Sequence, residues 1–389
     1  MAQSSSGKNE IKMSRIKRTF IIIAFILVAA MIPATQAAAV SEMSESYGNT
    51  QAAVSVSEMN EPQGNPRAAA ASEMGEPHEN THSAAVSETK GFSFNPKVSS
   101  VFLTEIFGET MVQTWYNLVD AVIEGKDTFP CLDQETYNWV MGQFPDRCFP
   151  VFTQLIEPVY AGAVENGTAR FLYKTSKEEC EAKIAEFEIM VEDILNSTME
   201  PDYSDLEKAL ALYRCFYSGY EYDQDTFERQ QEGSAEDLSS YRTLKKGTGI
   251  CQEISTAYSY LLMQAGVDAT IMMGESLLYD YNHQWSYVRV NGNNYHIDPT
   301  YALGQYGSLE FFMMTDEKRS EEFDPGQFVI ASAYTQDHNH PDYAADDDTF
   351  RPLWDTNLDD FDHDAHMIYS YAYDDDGNPV RRKFDYSGF

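Results

Sequence analysis

Three residues spread along the sequence have the types that thiol chemistry requires: Cys251, His283 and Asp298. A sulfur becomes a working nucleophile when a base takes its proton and a third group orients that base. Cys251 follows two glycines, Gly247 and Gly249, and precedes apolar positions Ile254, Ala257, Tyr258, Leu261, Leu262 and Ala265, with Gly266 as a stop. That spacing predicts a helix with the cysteine at its N-terminus. Unpaired N–H groups and the helix dipole there favour a thiolate and could hold an oxyanion. The competing role for the same residue is a buried, inert cysteine.

His283 and Asp298 flank a hairpin pattern, HQWSYVRVNGNNYHID, with Asn291-Gly292 at its tip. A two-residue turn there pairs Val290 with Asn293 and sets Asp298 opposite Trp285. Strand side chains alternate, so His283 shares the face of Trp285 and becomes a diagonal neighbour of Asp298, roughly 7–8 Å between backbones. An imidazole and a carboxylate can meet across that gap. A structural ion pair at a sheet end would look the same. His296 is the rival base, two residues before Asp298 on the same face, with core packing as its competing role.

The blocks GTGICQEISTAYSYLLMQAGVDATIMMG, HQWSYVRVNGNNYHIDPTY and EFFMMTDEKR, in that order, resemble the core of the transglutaminase-like superfamily. DLEKALALYRCFYSGYEYD upstream is similar to the helix that precedes this core in exported microbial members, and the likeness covers about residues 200–320. The resemblance implies an α+β, papain-like fold in which a nucleophile helix packs on an antiparallel sheet. It implies Cys251 as nucleophile, His283 as base, Asp298 as orienting acid, and acyl transfer or peptide hydrolysis through a thioester without a cofactor or metal. Gln252, Trp285, Tyr222 and Tyr217 are the candidates for an oxyanion or substrate pocket, with helix packing the competing role for the two tyrosines. Gln284 departs from the small residue usual between His and Trp, and Gln252, Glu253 and Ile254 depart from the usual Gly or Tyr after the cysteine. Both departures bear on the shape of an acyl pocket.

The elements that must position these residues occupy only part of the 389-residue chain. Lys8, Lys12, Arg15, Lys17 and Arg18 precede FIIIAFILVAAMI and PATQAAAV, the charged, apolar, small-residue order of a secretory signal over residues 1–39. The run is short for a membrane span, so a secreted or cell-surface protein with no stable span after cleavage is expected, and an uncleaved anchor is the alternative. Residues 40–90 repeat a small, polar Ala/Ser/Glu unit with little to bury and read as a disordered linker. A mainly helical region is expected over 91–200. It carries the stripe Met111, Trp115, Leu118 and Val122, a turn and strand in ENGTARFLYKT, and a capping box at Ser176 and Glu179. The core is expected over 201–325, opened by a second capping box at Ser204 and Glu207, with GYEYDQDTFERQQEGSAEDLSS as a polar loop. Residues 326–389 read as an acidic, Tyr/Asp-rich extension closed by a hairpin.

The formal charge of −35 becomes −39 once residues 1–37, with five basic residues and Glu10, are removed. Such a surface repels nucleic acid and anionic lipid and favours a basic protein or peptide substrate. Oligomeric state is not written in the sequence. Five dispersed cysteines do not form a disulfide framework, and Cys251 is expected to be a free thiol. His338, His340, His363 and His366 stand among aspartates in the tail at chelating spacings, but such polar runs are more often solvated loops. Two function classes follow. One is an exported cysteine acyltransferase or peptidase acting on protein. The other is an inactive domain of the same fold serving as an extracellular binding module.

Overall fold

Helices in the N-terminal region begin where short polar side chains take up orphan N–H groups. Ser100, Asp133 and Ser176 each accept from the backbone three residues on. The computed structural model describes residues 91–389 apart from 160, 236, 278–281, 306 and 331–342. The expected signal and linker over 1–90 lie outside the described residues, as do His338 and His340.

In chain order the N-terminal region contains α1 (Val101–Phe107), α2 (Glu109–Ile123), β1 (Thr128–Pro130), α3 (Gln134–Cys148), α4 (Phe152–Leu155), β2 (Ile156–Pro158), β3 (Val164–Glu165), β4 (Thr168–Tyr173) and α5 (Lys177–Thr198). α2 buries the Met111, Trp115, Leu118 and Val122 stripe. β4 follows the expected turn, in which Asn166 and Gly167 both have positive φ. It is the centre of a small antiparallel sheet with β1, β2 and β3. Those three strands are two or three residues long, too short to show a period of two in the sequence. Ser176 caps α5, but the Glu179 carboxylate turns to Thr175 and Lys183 instead of closing the box.

The core follows with α6 (Asp205–Gly219), β5 (Glu221–Tyr222), α7 (Gln224–Gln231), α8 (Ser240–Lys246), β6 (Thr248–Gly249), α9 (Cys251–Gln264), β7 (Asp268–Glu275), β8 (Asn282–Val290), β9 (Asn293–Ile297), α10 (Pro299–Ala302), α11 (Asp316–Arg319) and β10 (Val329–Ile330). Ser204 and Glu207 form the complete capping box of α6. The expected polar loop contains α7, capped by Asp223 and anchored by buried Thr226, Phe227 and Gln230. A single large apolar residue leaves no stripe to find in the sequence.

The core sheet is antiparallel in the order β10-β7-β8-β9, and α9 packs on β7 and β8. Its edge strand β10 comes from beyond residue 325, so the sheet draws on the segment read as the extension. α9 also meets α3, α6, α8 and α10, and 13 of its residues are buried. Its Ser and Thr side chains are therefore satisfied locally. Ser259 donates to the Thr270 carbonyl at 2.8 Å, and Ser286 of β8 donates to the Ser255 carbonyl at 3.0 Å.

The β8–β9 hairpin has the expected register, with Val290 opposite Asn293 and Ser286 opposite Ile297. Asn291 and Gly292 both have positive φ, 51° and 83°, the requirement of a type I′ turn. β11 (Asn357–Asp362), β12 (Met367–Tyr373) and β13 (Pro379–Asp385) form a separate antiparallel sheet. One buried core runs from Val98 to Tyr386. Among the described residues no helix is long and apolar enough to cross a membrane.

Candidate active site

The start of α9 is fixed by a buried acid. Glu253, in the first turn, accepts the Ile250 N–H at 3.1 Å and the Ser239 N–H at 2.9 Å. Arg242 of α8 donates to both Glu253 oxygens and to Asp223 at 2.6 Å. Burial would raise the Asp223 carboxyl, but Arg242 and Thr226 bring it down to about 2. This network holds the turn before α9, where β5 and β6 pair in parallel with Tyr222 beside Gly249. Cys251 is therefore delivered on a rigid support.

The thiol itself is buried, 2% exposed. It receives hydrogen bonds from the backbone N–H groups of Gln284 and Gln252, and the Asp298 carboxylate acts on it electrostatically. The sulfur thus lies against β8, one residue from His283. Burial pushes the thiol up to about 12, and the two N–H groups offset only part of that. The sequence reading expected a thiolate favoured by the helix N-terminus. Desolvation of the charged form outweighs that effect here.

His283 is buried and its Nε2 lies 2.8 Å from Asp298 Oδ2. Tyr301 stacks on the imidazole with ring centres 4.6 Å apart. Asp298, fully buried, follows β9 as the N-cap of α10, and its Oδ1 accepts from Thr300 and Tyr301 backbone N–H groups. Burial opposes its charge, but His283, Arg319 and these N–H groups hold the carboxyl below the usual aspartate range. The diagonal contact expected from the hairpin register is present.

Arg319 is the partner that sequence reasoning missed. Its Nη2 lies 2.8 Å from Asp298 Oδ2, the same oxygen that faces His283. The guanidinium is 1% exposed, with its carbon 4.3 Å from the ring centres of both Trp285 and Phe323. The only signal was a DEKR run ending in a cation, and nothing in it distinguishes a buried arginine from a surface one.

The other candidates divide. Gln252 sits at the helix start, where its backbone N–H meets the sulfur and its side-chain carbonyl accepts from Gln230 at 3.2 Å. Tyr222 is held beside the turn leading to Cys251. Trp285 is fully buried with its indole N–H donated to His296 Nδ1 at 2.8 Å, so it supports the site from within and lines no open pocket. Tyr217 packs against Tyr213 and Gly307, toward the C-terminal sheet, and is not brought to the thiol. Gln284 turns away from the site. Its amide donates to the Gln252 carbonyl, Ser255 Oγ and Thr256 Oγ1 at 2.9–3.0 Å, stapling β8 to α9. His296, the rival base, spends both ring nitrogens on Trp285 and Asp316, and its burial lowers its proton affinity. All five cysteines are unpaired.

Residues 192–299 match the family model of the transglutaminase-like superfamily, a span that contains Cys251, His283 and Asp298. This segment is similar to the transglutaminase-like core. A solved structure from Cytophaga hutchinsonii, provisionally named a cysteine protease, is 20% identical over 25% of this chain and 32% of its own, with a TM-score of 0.21. A structure named a TGase is 16% identical over 33% of this chain and 34% of its own, with a TM-score of 0.28. The chain spans about a third of each of these two proteins. None of the curated proteins compared matches it. Helix α9, which begins at Cys251, packs on the strand that carries His283; the imidazole meets the Asp298 carboxylate, and all three side chains are buried.

Proposed function

We propose that this protein is an exported, thiol-dependent acyl-transfer enzyme whose substrate is a glutamine carboxamide or peptide amide of a protein. The observation that supports the proposal most is at β8: its His283 is bonded to a buried carboxylate, and α9, which begins at Cys251, packs against the same strand. His283 takes the thiol proton as the sulfur attacks the amide carbon, and the resulting oxyanion is held by backbone N–H groups at the start of α9. The imidazolium returns that proton to the departing amine or ammonia as the C–N bond breaks, leaving a thioester. An amine then completes a transfer, or water completes a hydrolysis. The acidic surface favours substrates with basic patches. The charged-then-apolar leader supports export, with action outside the cell.

The test combines a glutamine donor peptide with a labelled amine, and separately casein, followed for ammonia release, amine incorporation and cleavage. Wild-type protein should support at least one of these, and Cys251→Ala should lose it while keeping its thermal midpoint. Equal activity in Cys251→Ala would end the proposal. The buried thiol favours one second reading, an inactive domain that binds a surface ligand. Absence of all three activities together with tight binding would select it.

A further inference from the structure

The carboxylate that orients His283 does not serve the imidazole alone. Asp298 Oδ2 is shared, at 2.8 Å each, between His283 Nε2 and Arg319 Nη2. Thr300 and Tyr301 backbone N–H groups occupy Oδ1. Asp298 is thus an acceptor on every side, and an acceptor-only carboxylate requires a proton on the nitrogen that faces it. A fully buried carboxylate keeps its charge only if cations and donors outweigh the loss of water. Arg319 supplies a permanent cation, since guanidinium does not deprotonate in proteins. Trp285 and Phe323 fix its plane from within the core. The other charged or titratable groups that face Asp298 are Tyr213 from α6 and the Cys251 thiol from α9, with Glu322 behind, 3.6 Å from Arg319 Nη1. Neither Tyr213 nor the thiol brings a positive charge.

We propose that Arg319 is a positioning residue that keeps Asp298 ionised inside the fold and so fixes His283 as the tautomer protonated on Nε2, with the lone pair on Nδ1 available as the base. The reading rests on the proposed acyl-transfer chemistry for its purpose but not for its measurement. Asp298 with one cation fewer protonates at higher pH, becomes a donor as well as an acceptor, and no longer dictates which ring nitrogen carries hydrogen. The imidazole then populates both tautomers, and the form with hydrogen on Nδ1 cannot accept the thiol proton.

The experiment is a two-bond proton–nitrogen correlation spectrum of the ¹⁵N-labelled full chain between pH 5.5 and 8, with His283 assigned by loss of its signals in His283→Gln. Wild type should show the Nε2-protonated tautomer wherever the ring is neutral. Arg319→Gln keeps a donor to Asp298 but removes the charge. It should show a tautomer mixture and an activity profile whose acid limb lies about one pH unit higher, with turnover reduced on the order of tenfold or more. Arg319→Lys should restore both the tautomer and the acid limb. A wild-type ring protonated on Nδ1 would overturn the proposal outright. So would an Arg319→Gln protein with wild-type thermal midpoint, unchanged tautomer and unchanged profile. Where Arg319→Gln does not fold, loss of the tautomer in folded Arg319→Lys overturns it, and retention supports it. The tautomer is readable in a protein that turns over nothing, so an inert chain with the expected spectra would defeat the acyl-transfer reading alone.

Discussion

On the proposed mechanism Cys251 reaches its working form by proton transfer to His283, because burial keeps the resting thiol neutral with its proton affinity raised to about 12. Native protein should therefore alkylate slowly with iodoacetamide at pH 7, below the rate of a free cysteine, and react fast only in urea; mass-resolved labelling of Cys251 over time checks this. Asp298 makes a second prediction. Its carboxyl is held below the usual aspartate range, so its stabilising contribution is fully present above about pH 3.9 and is lost as pH falls through the lower folded value. At pH 7, Asp298→Ala leaves the buried Arg319 with only the longer Glu322 contact, 3.6 Å away, and should cost about 3 kcal/mol in urea unfolding. The difference from wild type should shrink in acid. The His283–Asp298 contact was legible from type and spacing, because hairpin register converts sequence distance directly into geometry. Arg319 was not legible, since burial of a cation depends on which aromatic rings close over it, and those rings arrive from β8, α10 and Phe323.

Among the elements, β8 couples the two faces of the site. Its even-numbered residues Gln284 and Ser286 bond to α9, and its odd-numbered residues His283 and Trp285 stack with the rings around Arg319. Gly274 of β7 lies directly opposite His283 in the register. A Cβ there would come within 2.5 Å of the Trp285 ring and 3.2 Å of Phe328. Gly274→Ala should push Trp285 out of its place beneath the imidazole, lower stability by about 1–3 kcal/mol, and reduce turnover more than an equally destabilising substitution in α2. Thermal unfolding paired with the amine-incorporation assay separates the two effects. Long, periodic elements such as α2, α5, α9 and the β8–β9 hairpin could be read from sequence. β1, β2, β3 and β10 could not, because two- or three-residue strands take their identity from the neighbour they pair with. α7 was missed for a related reason: its one large apolar anchor, Phe227, gives no stripe.

At the scale of the whole molecule, a buried side chain of α6 joins the contacts that fasten the C-terminal sheet to the core, beside the Arg214–Asp360 ion pair and the Leu358 N–H to Gly307 carbonyl bond. Glu207 is 1% exposed and closes the α6 capping box while also accepting from Tyr386 Oη at 2.6 Å and meeting His363 Nδ1 at 2.9 Å. Glu207 and Asp202 raise the proton affinity of His363. Its contribution to this contact is thus fully present below the ordinary histidine range, about 6.5, and is lost as pH rises through the higher folded value. Backbone amides of β11–β13 should exchange with deuterium faster at pH 8.5 than at pH 6, after correction for intrinsic rates, and His363→Ala should abolish the difference. The expectation of a β extension with a hairpin holds, but its attachment could not be read, because a capping glutamate looks the same in sequence whether one group or three share its carboxylate. The Asn291-Gly292 tip carries a consequence for how this chain can vary. Adding or deleting one residue there would turn every side chain of β9 to the opposite side, sending the Asp298 carboxylate away from its imidazole with no atom of the triad altered. Lineages of this protein should therefore tolerate substitutions at the tip that keep the turn, and reject single-codon indels.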